Sequence, residues 1–182
     1  MTIQQDHAPA NSMGWQFAIA GTAIAGTLAT ACLMPFVALA TVTAATMSRR
    51  QAAATIVAVW AVNQLLGFTL LGYPVDTRTM AWGGALGVAT LGAMLIAAAV
   101  LGKRAPTLVR LVAAFAAAFV GYEAGLFAFA LVAGGTGTFT ARIIGQILLN
   151  DACWCAALIA VHAVLTRAAP GAFGPPLAPV AA

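Results

Sequence analysis

Long stretches of this sequence contain almost no charged side chains, and this limits what the chain can fold into more than any other feature. Only 7% of the 182 residues are charged, 63% are hydrophobic and the mean hydropathy is +0.99. Soluble domains carry about 25% charged residues, so this chain cannot cover a water-facing surface. The sequence therefore predicts an integral membrane protein built of helices.

Apolar runs of the length that crosses a bilayer recur along the chain. A membrane-spanning helix needs roughly 20 apolar residues. Four runs meet this length and are bounded by charges, glycine or proline. They are residues 51–72, 79–101, 106–133 and 140–166. Each is predicted to be one transmembrane helix.

Residues 14–47 form a longer apolar stretch that would make a single helix of roughly 50 Å. Pro35 lies near its middle, and proline disfavours an unbroken helix there. We therefore predict two short spans, 14–31 and 34–47, with a tight break at Met34–Pro35. The alternative is one long kinked helix, which would reduce the total from six spans to five.

The predicted fold is thus an all-α integral membrane protein, a compact bundle of six transmembrane helices over residues 14–167. Residues 1–13 are expected to form a cytoplasmic N-terminal segment. Residues 168–182 are rich in proline and follow the last apolar run, which predicts a flexible C-terminal tail.

The basic residues predict which side of the membrane each loop faces. Six of the eight fall on one side of the six-span topology, and positive residues favour the cytoplasm. These six are Arg49, Arg50, Lys103, Arg104, Arg110 and Arg167. Only Arg78 and Arg142 fall on the other side. We expect a multi-pass protein of the inner (cytoplasmic) membrane with both termini in the cytoplasm.

Several polar and aromatic side chains lie inside the apolar runs, and the topology brings them to the outer half of the membrane. Amides and charges buried there need partners, which a water-filled or ligand-filled pocket supplies. We predict an outward-facing pocket that binds a small-molecule solute. The predicted lining residues are Trp60, Asn63, Gln64, Trp82, Glu123, Arg142, Gln146 and Asn150.

Helical spacing supports a shared face on the third run. Trp60, Asn63, Gln64 and Gly67 follow the i, i+3, i+4, i+7 pattern. Their side chains would form one wall of the pocket, with the amides reading hydrogen-bonding groups and the indole available for stacking.

The sixth run carries a second stripe, formed by Arg142, Gln146 and Asn150 at every fourth position. Glu123 of the fifth run is a candidate ion-pair partner for Arg142 or for a cation on the ligand. Asp151 lies about 100° around the helix from Asn150, so it need not face the same cavity.

No motif for hydrolysis, nucleotide binding or metal catalysis occurs in a suitable context, and no basic stripe interleaved with aromatics indicates nucleic-acid binding. We therefore predict no enzyme activity, no cofactor and no nucleic-acid partner. The predicted partners are the lipid bilayer and a small-molecule solute.

The layout resembles the substrate-binding S-components of energy-coupling-factor vitamin transporters. The similar segments are MPF after the first span, SRRQAA before the third, GFTLLGYP at its end and WGGALGVATLGA in the fourth. The resemblance implies six helices, a small-residue first helix that contacts a transmembrane coupling protein with its ATPases, and an outward pocket for a vitamin or cofactor precursor.

Two other interpretations stay open. The polar residues could hold helices together in a structural or assembly protein, since amides in membrane helices often bond to neighbouring helices. The chain could also handle a metal or cofactor through Met34, Cys153, Cys155 or His162.

Overall fold

The computed structural model describes residues 13–29, 34–102, 107–169 and 173. Within these ranges the chain forms six α-helices and a single 3-10 turn, and no strand. The helices are α1 (Met13–Ala29), α2 (Phe36–Thr46), α3 (Arg49–Thr69), α4 (Thr77–Leu101), α5 (Leu108–Ala133) and α6 (Ala141–Ala168), and the turn is Thr136–Thr138. The predicted all-α class is confirmed for this part of the chain. The predicted terminal segments, 1–13 and 168–182, lie almost wholly outside it.

The four longest helices, α3 to α6, are long and apolar enough to cross a membrane. The shortest of them has 21 residues, about 31 Å at 1.5 Å per residue, which matches a hydrocarbon core of about 30 Å. The chain is therefore a multi-pass membrane protein.

The predicted break at Met34–Pro35 is present. Both residues lie outside any helix, and Pro35 directly precedes α2. Proline suits this position because a helix leaves its first backbone N–H groups unpaired in any case. In the described residues α1 and α2 are two separate helices, and the count of six spans stays a prediction.

Helix α2 is short and central. Its 11 residues extend about 16 Å, roughly half of the hydrocarbon thickness. It packs against α3, α4, α5 and α6, and every residue from Phe36 to Thr43 is buried. The bundle is thus built around a helix that occupies only part of its length.

The start of α2 lies at mid-depth in the bundle. The backbone N–H of Ala38 donates to Asp151, which lies ten residues into α6, about 15 Å from its start. We call the level of α2 the filled half of the bundle. The other level, where α3 ends, α4 begins and α6 begins, is the pocket half.

The start of α1 closes the filled half. Trp15 is 1% exposed, and its Nε1 donates to Thr46 Oγ1 at 2.8 Å. Its ring also packs edge-on against His162, with ring centroids 4.6 Å apart. These contacts join α1 to the last turn of α2 and to the second half of α6, so α1 runs antiparallel to α2.

Candidate functional site

A cavity of about 400 Å³ lies in the pocket half, beyond the start of α2. Helices α3 to α6 form its walls, and the first residues of the α2 region form its floor. Its lining is mostly apolar and aromatic, with a small set of polar side chains. It therefore occupies the space that a full-length central helix would fill.

Five of the eight residues predicted for the site line this cavity. They come from four different helices and are Asn63, Gln64, Trp82, Glu123 and Asn150. The structure thus brings residues separated by up to 87 positions in the sequence to one level of the bundle, as the topology argument expected.

Asn63 and Gln64, the neighbouring amides of α3, both line the cavity and are half-buried. Neither amide forms a hydrogen bond with another residue in the described part of the chain. Water or a ligand in the cavity can therefore pair with them, which explains how two amides are tolerated in an apolar helix.

Trp60 does not reach the cavity. Its Nε1 donates to the backbone carbonyl of Gly83 at 2.8 Å. Its ring lies against Gly87, where an added Cβ would be 2.9 Å from ring atoms. Trp60 therefore locks α3 to α4, using a carbonyl that the small Gly83 leaves accessible.

Arg142 and Gln146 are exposed and do not line the cavity. The buried face of α6 is offset from the predicted stripe by about one residue, or 100°. That face consists of Asp151, Cys155, Leu158, His162 and Thr166. Arg142 forms no ion pair with Glu123 in the described structure, and Asn150 is the only member of the stripe that lines the cavity.

Asp151 lies at the cavity floor, although its position in the sequence did not place it there. It is 1% exposed, and its Oδ1 accepts a hydrogen bond from the backbone N–H of Ala38 at 2.8 Å. It thereby satisfies the N-terminus of α2 from a different helix. The negative carboxylate also suits the positive end of the α2 dipole.

A local signal for this role does exist in the sequence. Each of the helices α3 to α6 is preceded by a capping residue whose side chain accepts a hydrogen bond from a backbone N–H of the first turn. These capping residues are Ser48, Asp76, Thr107 and Thr140. Helix α2 begins with Pro35, which has no such group. A buried helix start without a cap needs a partner from elsewhere, and an aspartate in a membrane helix is a candidate.

Glu123 is in a different situation from Asp151. Its Oε1 atom is buried and has no hydrogen-bond partner among the described residues. A buried acceptor without a partner costs about 1–3 kcal/mol, and more when it is charged. Glu123 also lines the cavity, so a bound molecule can approach this side chain.

Aromatic side chains fix the mouth of the cavity. The Trp82 ring meets Phe129 edge-on at 5.0 Å and lies beside Gly135, which has a left-handed backbone (φ +108°). Phe139 meets Phe127 edge-on at 5.2 Å. These contacts hold Trp82 and Phe139 in place as apolar walls of the cavity.

Of the residues of the metal or cofactor alternative, Cys155 and His162 share the buried face of α6, two turns apart, and the other two lie elsewhere. Met34 lines the cavity, Cys153 is exposed and His162 packs against Trp15 in the filled half. Among the residues the structure describes, no group of three or more His, Cys, Asp or Glu is arranged to hold a metal ion.

No protein-family model, curated protein or solved structure matches this chain.

Proposed function

We propose that this protein binds a small polar solute, similar to a vitamin or cofactor precursor, in the cavity and assists its uptake across the cytoplasmic membrane. The observation that carries the proposal is a set of unpaired polar groups facing one cavity. Asn63, Gln64 and Glu123 have no partner among the described residues, and polar groups at membrane depth are costly unless something pairs with them.

The size and composition of the cavity support a small-molecule ligand. Binding sites for such ligands have volumes of about 300–1,000 Å³ and are mostly apolar, with a few polar groups that fix orientation. This cavity has about 400 Å³ and that composition. A short helix that starts at the cavity floor also occurs in transporters, where interrupted helices form binding sites near the membrane centre.

The direction of transport follows from the basic residues in this proposal. Arg49, Arg50, Arg110 and Arg167 lie at the ends of helices in the filled half, and positive residues favour the cytoplasm. In this proposal all six helices act as spans. The pocket half faces outward and the C-terminus is cytoplasmic.

Uptake of a solute against its gradient needs an energy source. In the S-component-like form of the proposal, a transmembrane coupling protein with ATPases supplies it. Helix α1 would contact that partner, as the resemblance to S-components implies.

A structural or assembly role is the second candidate, and two observations favour it. The hydrogen bonds of Asp151 to Ala38 and of Trp60 to Gly83 both join different helices. This role does not account for Asn63, Gln64 and Glu123, whose polar groups have no partner among the described residues.

The proposal is tested by purifying the protein in detergent, denaturing it and identifying any released small molecule by mass spectrometry. Asn63→Leu/Gln64→Leu removes both amides from the cavity. Arg142→Ala/Gln146→Ala is the matched control, because these two side chains are exposed outside it. We expect a near-stoichiometric compound that the control retains and the cavity variant loses at an unchanged melting temperature.

A wild-type protein that carries no compound, gains no thermal stability from a library of soluble metabolites and unfolds when the amides are removed would overturn the proposal. That result would favour the structural role.

A further inference from the structure

The charged groups among the described residues that line the cavity all have the same sign. Its described lining contains two carboxylates, Glu123 and Asp151, and no Lys, Arg or His. Arg142, the basic residue predicted to lie nearby, is exposed outside it. The polarity of the cavity is therefore set by acidic groups and by amides, which carry no net charge.

The two carboxylates do not contribute equally to this negative polarity. Asp151 accepts from the backbone N–H of Ala38 and faces the N-terminus of α2, which carries about half a positive charge. Its charge is therefore largely offset within the protein. The same contact occupies the helix terminus, which would otherwise be the natural place for an anion.

Glu123 has no such compensation. Its buried Oε1 receives no hydrogen bond from the described residues. An ionised carboxylate in an apolar setting requires a counter-charge or several donors. Glu123 lines the cavity, so a ligand bound there can supply them.

We infer that the solute is an organic cation whose protonated nitrogen pairs with the Glu123 carboxylate. This inference rests on the proposed function and names the class of its substrate. The remainder of the solute is apolar or aromatic, because it must pack against Trp82 and Phe139. Asn63 and Gln64 offer further acceptors for N–H groups.

The shape of the site separates this ligand from other classes. A cavity of about 400 Å³ is far larger than a single metal ion, and its aromatic walls attract cations through the faces of their rings. An anion would face Glu123, and the described lining contains no basic residue to offset the repulsion.

Three probes of nearly equal shape test the sign of the charge: benzamidinium (positive), benzamide (neutral) and benzoate (negative). Each is titrated against the full-length protein in detergent, with the thermal unfolding midpoint and the Kd as readouts. We expect benzamidinium to stabilise the wild type more than the other two. Loss of one charge-assisted hydrogen bond in Glu123→Gln should weaken its binding by about tenfold or more.

Asp76→Asn is the control, since it removes the same charge from an exposed position outside the cavity. It should bind benzamidinium like the wild type. The inference is overturned if benzoate binds more tightly than benzamidinium, if benzamide equals it, or if Glu123→Gln binds it as well as the wild type does.

If none of the three probes binds, the charge of the compound released from purified protein tests the inference instead. A compound that is cationic at neutral pH and is lost from Glu123→Gln supports the inference. A neutral or anionic compound overturns it and leaves the proposed function standing. With no probe bound and no compound released, the proposed function fails together with the inference.

Discussion

Among the described residues, both halves of the bundle contain buried polar atoms without hydrogen-bond partners, but in the pocket half the residue concerned also lines a cavity. In the filled half these atoms are Thr41 Oγ1 and His162 Nδ1, and in the pocket half the atom is Glu123 Oε1. Helix α2 occupies the space in the first half, and a cavity occupies it in the second. An unpaired polar atom therefore indicates a binding site only where the packing leaves space for a ligand.

The two halves also differ in the type of polar residue they use. In the filled half, Thr43 Oγ1 donates to the Leu39 carbonyl at 2.7 Å and Thr46 Oγ1 to the Val42 carbonyl at 2.6 Å. A threonine can thus satisfy its hydroxyl within its own helix. Amides and carboxylates are less easily satisfied in this way, so in the pocket half they depend on other helices or on a ligand.

The largest expected effect on stability is at Asp151, at the floor of the cavity, and it contrasts with the effect at Glu123 in the cavity wall. Asp151→Ala leaves the Ala38 N–H buried without an acceptor, and we expect the free energy of unfolding to fall by about 2–3 kcal/mol. Reversible denaturation in detergent micelles measures this. Asp151→Asn keeps an acceptor and should lose less. An alanine variant as stable as the wild type would mean that α2 does not need its cap.

Glu123→Gln should change the free energy of unfolding in the opposite direction from Asp151→Ala. It removes a charge whose buried oxygen has no described partner, so the ligand-free protein should be unchanged or stabilised, by up to about 1 kcal/mol. The same denaturation assay applies, on protein washed free of ligand. A loss of stability similar to that of Asp151→Ala would show that Glu123 holds helices together. Asp151 and Glu123 would then not differ in role.

Thr43→Val tests whether the threonine hydroxyls of the filled half bond only within their own helix. The substitution keeps the shape and removes only a hydroxyl that bonds within its own helix. We expect a change within about 0.6 kcal/mol, the average for hydrogen bonds between membrane helices. A much larger loss would show that the threonines of α2 stabilise contacts between helices as well.

The smallest effect concerns Asp76, which caps α4 at the surface of the pocket half. The backbone N–H of Thr79 lowers the pKa of this carboxyl, and the Thr79 hydroxyl adds to the effect. A lowered pKa in the folded state gives stability that is present above the unfolded pKa of about 4 and is lost as the pH falls through the folded value. Between pH 5 and pH 3 the wild type should lose slightly more thermal stability than Asp76→Asn. Parallel melting curves would contradict this.

The helices could be predicted from the sequence because length and apolar composition determine membrane spans. The predicted run 106–133, for example, corresponds to α5 (Leu108–Ala133). Pro35 also marked the break before α2 correctly. The shortness and central position of α2 could not be predicted, since they depend on how the other helices pack around it.

The site could be predicted only in part, because polarity does not reveal which face of a helix points inward. Arg142 is the second residue of α6, near the end of the helix, where a charged side chain can reach water. Asp151 lies deeper and had to be buried against a partner. For Trp60, the sequence showed the side chain but not the Gly83 carbonyl that pairs with its N–H.

The hydrogen bond between Ala38 and Asp151 joins positions 113 residues apart, so the second helix to be synthesised depends on the last. An 11-residue segment is too short to enter lipid as an independent span, and until α6 arrives its first turn lacks an acceptor. Membrane insertion of this protein therefore cannot be completed helix by helix. A chain that stops before α6 lacks the side chain that accepts the Ala38 N–H.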